Sequence, residues 1–188
     1  MSADSVAEQL YMQQQFAIDR DKLARTAKGA NILFGPPGGG KSHLSSALGL
    51  ALIENGRRVF FARTTDLVQR LQIARRDFAL ESAIAKLDHY DLLILDDLAN
   101  VTKDQAGMSV LFELIAARYE RRSMLITANQ PFGEWGKIFP DQATTLAAID
   151  RLVHHATILE LNGESYRRRE ALDRKRGEAH RRRTPRSR

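Results

Sequence analysis

From Gly35 to Ser42 the chain reads GPPGGGKS, after the apolar run NILF and before HLSSALGLALIE. Glycine this dense does not continue a helix, and two adjacent prolines remove the N–H donors that a strand needs. The segment is therefore a loop that joins a buried strand to the start of a helix. It fits G-x-x-x-x-G-K-[ST] at every fixed position: Gly35, Gly40, Lys41 and Ser42. In that pattern backbone N–H groups turn inward around a phosphate, and the helix N-terminus adds partial positive charge. Lys41 reaches the β- and γ-phosphates, and the Ser42 hydroxyl binds Mg²⁺. The candidate phosphate-binding set is Gly35, Pro36, Pro37, Gly38, Gly39, Gly40, Lys41, Ser42 and His43. Nothing in its own spacing distinguishes His43 from a surface group.

The flanking pattern gives that loop its context. NILF is the first strand, Ser42 to Glu54 the first helix, and Asn55-Gly56 stops it. VFFA, Val59 to Ala62, is the second strand. Thr65 or Asp66 can cap a helix beginning at Leu67, on which Leu67, Leu71, Ala74 and Phe78 share one apolar face. A shorter helix spans Leu80 to Leu87. DLLILDD, Asp91 to Asp97, is apolar enough for a strand buried on both faces. Gln105 to Arg122 is a long helix with Val110, Leu111, Leu114, Ile115 and Ala117 inward. MLITAN, Met124 to Asn129, is a fourth strand, Leu146 to His154 a helix, and TILEL, Thr157 to Leu161, a fifth strand. Residues 5–28 read as a mostly polar helix. Strands alternating with helices indicate an α/β domain with a mostly parallel sheet.

A nucleotide hydrolase also needs acids. Asp96 and Asp97 close the strand LLIL, and a carboxylate at the carboxyl end of a buried parallel strand lies beside the phosphate loop. Asp96 is the candidate Mg²⁺ partner, through water, and Asp97 the candidate base or water-orienting group. Asn129, at the end of LITAN, can contact the γ-phosphate or the attacking water, or serve as a turn residue before Pro131. Arg151, in AIDRLVHH, has no role that spacing alone defines. Trp135, His154 and His155 lack supporting spacing.

Charge is uneven. The net charge is +6, but Tyr166 to Arg188 holds 11 Lys and Arg against 3 Asp and Glu, so the preceding residues are slightly acidic. Such a tail can neutralise nucleic-acid phosphates or merely stay solvated. No cysteine is present, which excludes disulfides and thiolate metal sites. No apolar run approaches the about 20 residues a membrane helix needs. The first residues lack a secretion signal. The expectation is a cytoplasmic protein without a membrane partner.

The blocks NILFGPPGGGKSHLSSALG, LLILDDL, FELIAARYERRSMLITANQPFGEWGKIF, AAIDRLVHH and LELNGESYRRREA, in this order, resemble the IstB-like ATP-binding proteins. These are helper ATPases of bacterial insertion sequences, related to the DnaC helicase loaders and to the AAA+ ATPases. The resemblance covers about Asn31 to Ala171. It implies a P-loop NTPase of AAA+ type with a five-stranded parallel sheet and no helical lid domain. It implies that Asn129 is the residue that reads the γ-phosphate and that Arg151 is an arginine finger completing a neighbour's site. Arg167 is a further basic candidate near nucleotide. The helical segment Thr64 to Leu87, with Arg70, Arg75 and Arg76, is a candidate DNA contact.

Two positions depart from the family pattern. Gly39 stands where Thr is usual, and Asp97 where many AAA+ enzymes have Glu. The family's longer N-terminal helical region, which engages a partner protein, is not matched before the first strand, and a shortened copy is one reading. The expected organisation is a short helical segment at 1–30, an ATPase core at 31–165 and a basic tail at 166–188. The expected function is an ATPase using ATP and Mg²⁺, slow and DNA-stimulated. It would assemble as an ATP-dependent homo-oligomer on DNA, duplex over single strand, and assist a transposase in target selection. A DnaC-like helicase loader, an ATP-gated DNA-binding module without turnover, and a decayed product that only binds nucleotide are the alternatives.

Overall fold

The computed structural model describes residues 30–98, 105–130, 151–152 and 156–161. The expected N-terminal helix, the loop after Gln130, most of the helix around Arg151 and the basic tail lie outside the described residues. So do Trp135, His154, His155 and Arg167.

Five strands form one parallel sheet: β1 (Ala30–Phe34), β2 (Val59–Arg63), β3 (Leu92–Asp96), β4 (Ser123–Ala128) and β5 (Thr157–Glu160). Their order is β2-β3-β4-β1-β5. Four helices are described: α1 (Lys41–Glu54), α2 (Thr64–Arg76), α3 (Leu80–Leu87) and α4 (Gln105–Arg118). The α/β class and the five-strand parallel sheet match the sequence expectation.

The sheet is covered on both faces because its central strands are apolar on both. Leu92 and Ile94 pack with Leu33 and Leu125 under Leu44, Leu48 and Leu52 of α1. Leu93 and Leu95 alternate to the other face, with Ile32, Met124 and Ile126, under α2, α3 and α4. Gly49 lets α1 lie close, since a Cβ there would stand 2.9 Å from Ile94 Cδ1. Each wholly buried leucine or isoleucine contributes roughly 1.5–3 kcal/mol by leaving water.

Three boundaries differ from the sequence reading by more than one residue. α2 begins at Thr64, not Leu67, and neither Thr65 nor Asp66 caps it; the N-cap is Arg63, without a side-chain bond. Thr64 is buried because its hydroxyl donates to the Asp96 carbonyl at 2.9 Å, which ties the helix start to the end of β3. The expected apolar face of α2 fails at Phe78. The helix stops at Arg76, Phe78 takes φ 53°, and its ring is fully exposed, while Val68 joins Leu67 and Leu71 inside. Finally, α4 ends at Arg118 rather than Arg122, and Glu120 turns the chain at φ 56°.

Arg118 explains that last end. Its side chain is wholly buried and donates to the carbonyls of Leu87, Tyr90 and Ser123 at 2.8–3.1 Å, with Asp88 at 3.4 Å. One guanidinium thus closes the C-terminus of α3, the turn into β3 and the entry to β4. Burial pushes its pKa down to about 10, still well above neutral, so the charge persists. Nearby, the Arg58 N–H and guanidinium hold the Asp91 carboxyl below the usual carboxylate range, tying the starts of β2 and β3. Replacing Arg118 by Met removes its donors from three carbonyls, while Asp88 keeps Arg121, and should cost about 3–5 kcal/mol in urea unfolding. Asp91→Asn, on a solvated contact, should cost under about 1 kcal/mol.

Candidate nucleotide-binding site

Parallel pairing brings the carboxyl ends of β1, β3 and β4 to one edge. β1 runs into the glycine-rich loop, β3 ends at Asp96, and β4 ends one residue before Asn129. The loop is fixed from below. Gly35 N–H donates to Ala128 O at 3.3 Å, Leu161 N–H to Phe34 O at 2.8 Å, and Gly39 N–H to Pro36 O at 3.1 Å. Gly35 sits at φ 153°, where a Cβ would stand 2.3 Å from the Leu161 carbonyl oxygen. Gly40 has φ 86°, and a Cβ built there meets nothing within 4 Å, so the mouth of the loop is open. Pro36 and Pro37 are exposed, as are Ser42 and His43.

The charged groups converge on that loop. Lys41 is 6% exposed and folds back, its Nζ donating to Gly35 O at 2.7 Å and Pro36 O at 2.9 Å. An ammonium held by neutral carbonyls is readily drawn to a polyanion. The Ser42 hydroxyl lies 2.9 Å from both carboxylate oxygens of Asp96, across 54 residues of sequence. Asn129 Nδ2–H donates to Asp97 Oδ1 at 2.9 Å. Asp97 itself holds φ 63°, a left-handed conformation that an aspartate adopts at a cost of about 1 kcal/mol.

Thr127 is the residue that sequence reasoning missed. It is buried on β4, its hydroxyl donates to Asp96 Oδ1 at 2.7 Å, and it accepts from the Asp97 N–H at 2.8 Å. The sequence carried one signal for it. Leu125 and Thr127 alternate with Met124 and Ile126, so Thr127 faces the α1 side of the sheet, as Ile94 and Asp96 do.

The structure thus brings Lys41, Ser42, Asp96, Asp97 and Asn129 together. It does not bring Arg151 to them. That guanidinium lies over the Phe112 ring of α4, 5.1 Å from its centroid, and one of its nitrogens is buried without a hydrogen-bond partner among the described residues. Arg75, expected among DNA-facing arginines, is engaged by Ser109 and Glu113 of α4. Arg70 and Arg76 are exposed.

The donor set fits Mg²⁺ held against phosphates. Ser42 and Asp96 supply oxygen atoms only, and no cluster of three or more metal-ligating His, Asp or Glu occurs among the described residues. Mg²⁺ is ordinarily held by one or two protein oxygens with the rest from phosphate and water. No helix among the described residues is long and apolar enough to cross a membrane.

Comparison with known proteins agrees with this geometry. The family described as IstB-like ATP binding protein matches residues 12–174. An insertion sequence ATP-binding protein of Sinorhizobium fredii is 78% identical over 151 residues, covering 80% of this chain and 51% of that protein. The chain spans about half the length of the curated relatives it matches. Among solved structures, an AMPPCP-bound DnaA from Aquifex aeolicus superposes with TM-score 0.65 at 18% identity, covering 88% of this chain and 51% of that one. A DnaC helicase loader gives TM-score 0.58 at 23% identity, covering 71% and 78%. At those identities the likeness shows the fold alone.

The loop geometry predicts contrasting behaviour at two glycines. Gly35→Ala forces a clash with backbone, and should weaken ATP binding about tenfold or more in equilibrium titration. At Gly39 a Cβ would stand 3.1 Å from Pro36 O and in ordinary contact with Leu161 O and Pro36 Cδ, without a positive φ. The Gly39→Thr variant should bind ATP within about threefold of the native chain, since the backbone donors stay in place.

Proposed function

The chain belongs to the IstB-like ATP-binding protein family, and on that premise we propose that it hydrolyses ATP and works as an assembled, DNA-dependent helper of transposition. The observation that carries the reading is the junction of loop and acids: Ser42 on Asp96, and Asn129 on Asp97, at the mouth of an open glycine loop.

The chemistry follows from those residues. Lys41 would exchange the Gly35 and Pro36 carbonyls for the β- and γ-phosphate oxygens of ATP, with the loop N–H groups around the β-phosphate. Ser42 and Asp96 would hold Mg²⁺, which neutralises charge that develops on the transferring phosphoryl group. Asp97 would orient the attacking water and accept its proton, its carboxylate aimed by the Asn129 amide. The same Asn129 amide would also sense the γ-phosphate. Aspartate has a shorter arm than glutamate, which suits slow turnover.

Arg151 lies away from this chain's own cluster. That placement is compatible with an arginine finger offered to a neighbouring subunit, and so with an ATP-dependent homo-oligomer. Duplex DNA is the proposed substrate of assembly. The basic run Tyr166–Arg188 and the exposed Arg70 and Arg76 supply phosphate-neutralising charge. The insertion-sequence setting of the named relatives supports a transposase as the proposed partner and the cytoplasm as the proposed location.

ATP turnover with duplex DNA, with single-stranded DNA and with neither tests this function. Duplex should raise the rate several-fold. Lys41→Ala and Arg151→Ala should each lose about 100-fold or more. Mixing the two variants should restore part of the rate, because one intact site can form at a shared interface. Stimulation by single strands alone would favour a helicase loader. Binding without turnover under all three conditions would leave only an ATP-gated module.

A further inference from the structure

We infer that Thr127 is a positioning residue that sets Asp96 and Asp97 as one unit, an inference resting on the hydrolytic reading of the site above. The chemistry of its neighbours fixes the direction of both bonds. An amide N–H can only donate, so at 2.8 Å from Asp97 N the Thr127 hydroxyl oxygen accepts. A carboxylate can only accept, so at 2.7 Å from Asp96 Oδ1 the same hydroxyl donates its one proton. The hydroxyl is used in both directions, and at 1% exposure it is shielded from bulk solvent.

The consequences differ for the two acids. Asp96 receives Ser42 and Thr127 on one carboxylate, so its plane is fixed before nucleotide arrives. Asp97 stands in the left-handed region, and the turn is held at its N–H by Thr127 and at its carboxylate by Asn129, two residues further along the same strand end. Without the hydroxyl, Asp97 loses the acceptor that offsets its strained backbone, and Asp96 loses one of two donors. The Thr127 hydroxyl touches Asp96 Oδ1 and the Asp97 N–H and lies buried beneath both acids. It acts through the acids, by keeping the metal-side carboxylate and the water-side carboxylate at a constant separation.

Thr127→Val removes the hydroxyl and keeps the shape, whereas Thr127→Ser keeps the hydroxyl and loses a methyl. Turnover of ATP and equilibrium binding of ATP are measured on both. Thr127→Val should lower kcat about tenfold or more while the ATP Kd stays within about threefold, and Thr127→Ser should restore kcat to within about threefold of native. Equal kcat in Thr127→Val and native overturns the inference. So does a parallel loss in Thr127→Ser, since packing would then matter and not the hydroxyl. Should Thr127→Val fail to fold, Thr127→Ala replaces it. If neither folds while Thr127→Ser does, the hydroxyl serves the fold and the positioning role is overturned. If the native chain itself shows no turnover, the hydrolytic reading fails. Thr127 is then judged by the Mg²⁺ concentration that half-saturates AMPPCP binding, which Thr127→Val should raise about tenfold and which, unchanged, overturns the inference.

Discussion

The pairing of β4 with β1 on one side and β3 on the other is the constraint on which the site depends. All three strands run in one direction, so their carboxyl ends meet at one edge. The glycine loop, Asp96 and Asn129 come from those three ends. β1 and β3 are not neighbours, yet Ser42 on the helix after β1 reaches Asp96 at the end of β3. β4 fills the gap between them and carries Thr127 at that level. Side-chain alternation then does the rest, placing Asp96 and Thr127 on the face that α1 covers. A slip of one residue in β4 would send Thr127 to the opposite face and uncouple the acids.

Strain at this edge is local and is held by backbone and side-chain bonds. Asp97 holds a positive φ between Thr127 and Asn129. Gly35 accepts a close approach of the Leu161 carbonyl that no side chain would tolerate. Below the edge the central strands β1, β3 and β4 are largely apolar and buried, and they can sustain about 1 kcal/mol of such cost at each position. Farther down, Arg118 closes the opposite end of the domain with three carbonyl contacts. Rigid scaffold below and bonded strain above is the arrangement expected of a site that must present charged groups before ligand arrives.

Much of this was legible in the sequence. Lys41 and Ser42 follow from loop spacing. Asp96 follows from an apolar run ending in acid, and the parallel sheet from alternating patterns. Strand order was not legible, because a pattern of local periods carries no information about which strands are neighbours, and Thr127 depends on that order. Arg118 reads as an ordinary basic residue near a helix end, and only the packing of α3 and β4 around it reveals burial. Phe78 misled the helical reading because the apolar periodicity continues past the helix end at Arg76. Arg151 carries no signal in its own neighbourhood. Its role comes from family resemblance alone, and the geometry adds only that it rests on Phe112, away from this chain's loop.

The most direct measurement is ATP binding and ATP turnover on one preparation of Asp97→Asn beside the native chain. Asparagine keeps the shape and the contact with Asn129 and removes the base. The account predicts an unchanged ATP Kd and turnover lower by about 100-fold. Equal turnover in the two proteins would contradict it, because Asp97 would then be a strained loop residue and not part of a hydrolytic site.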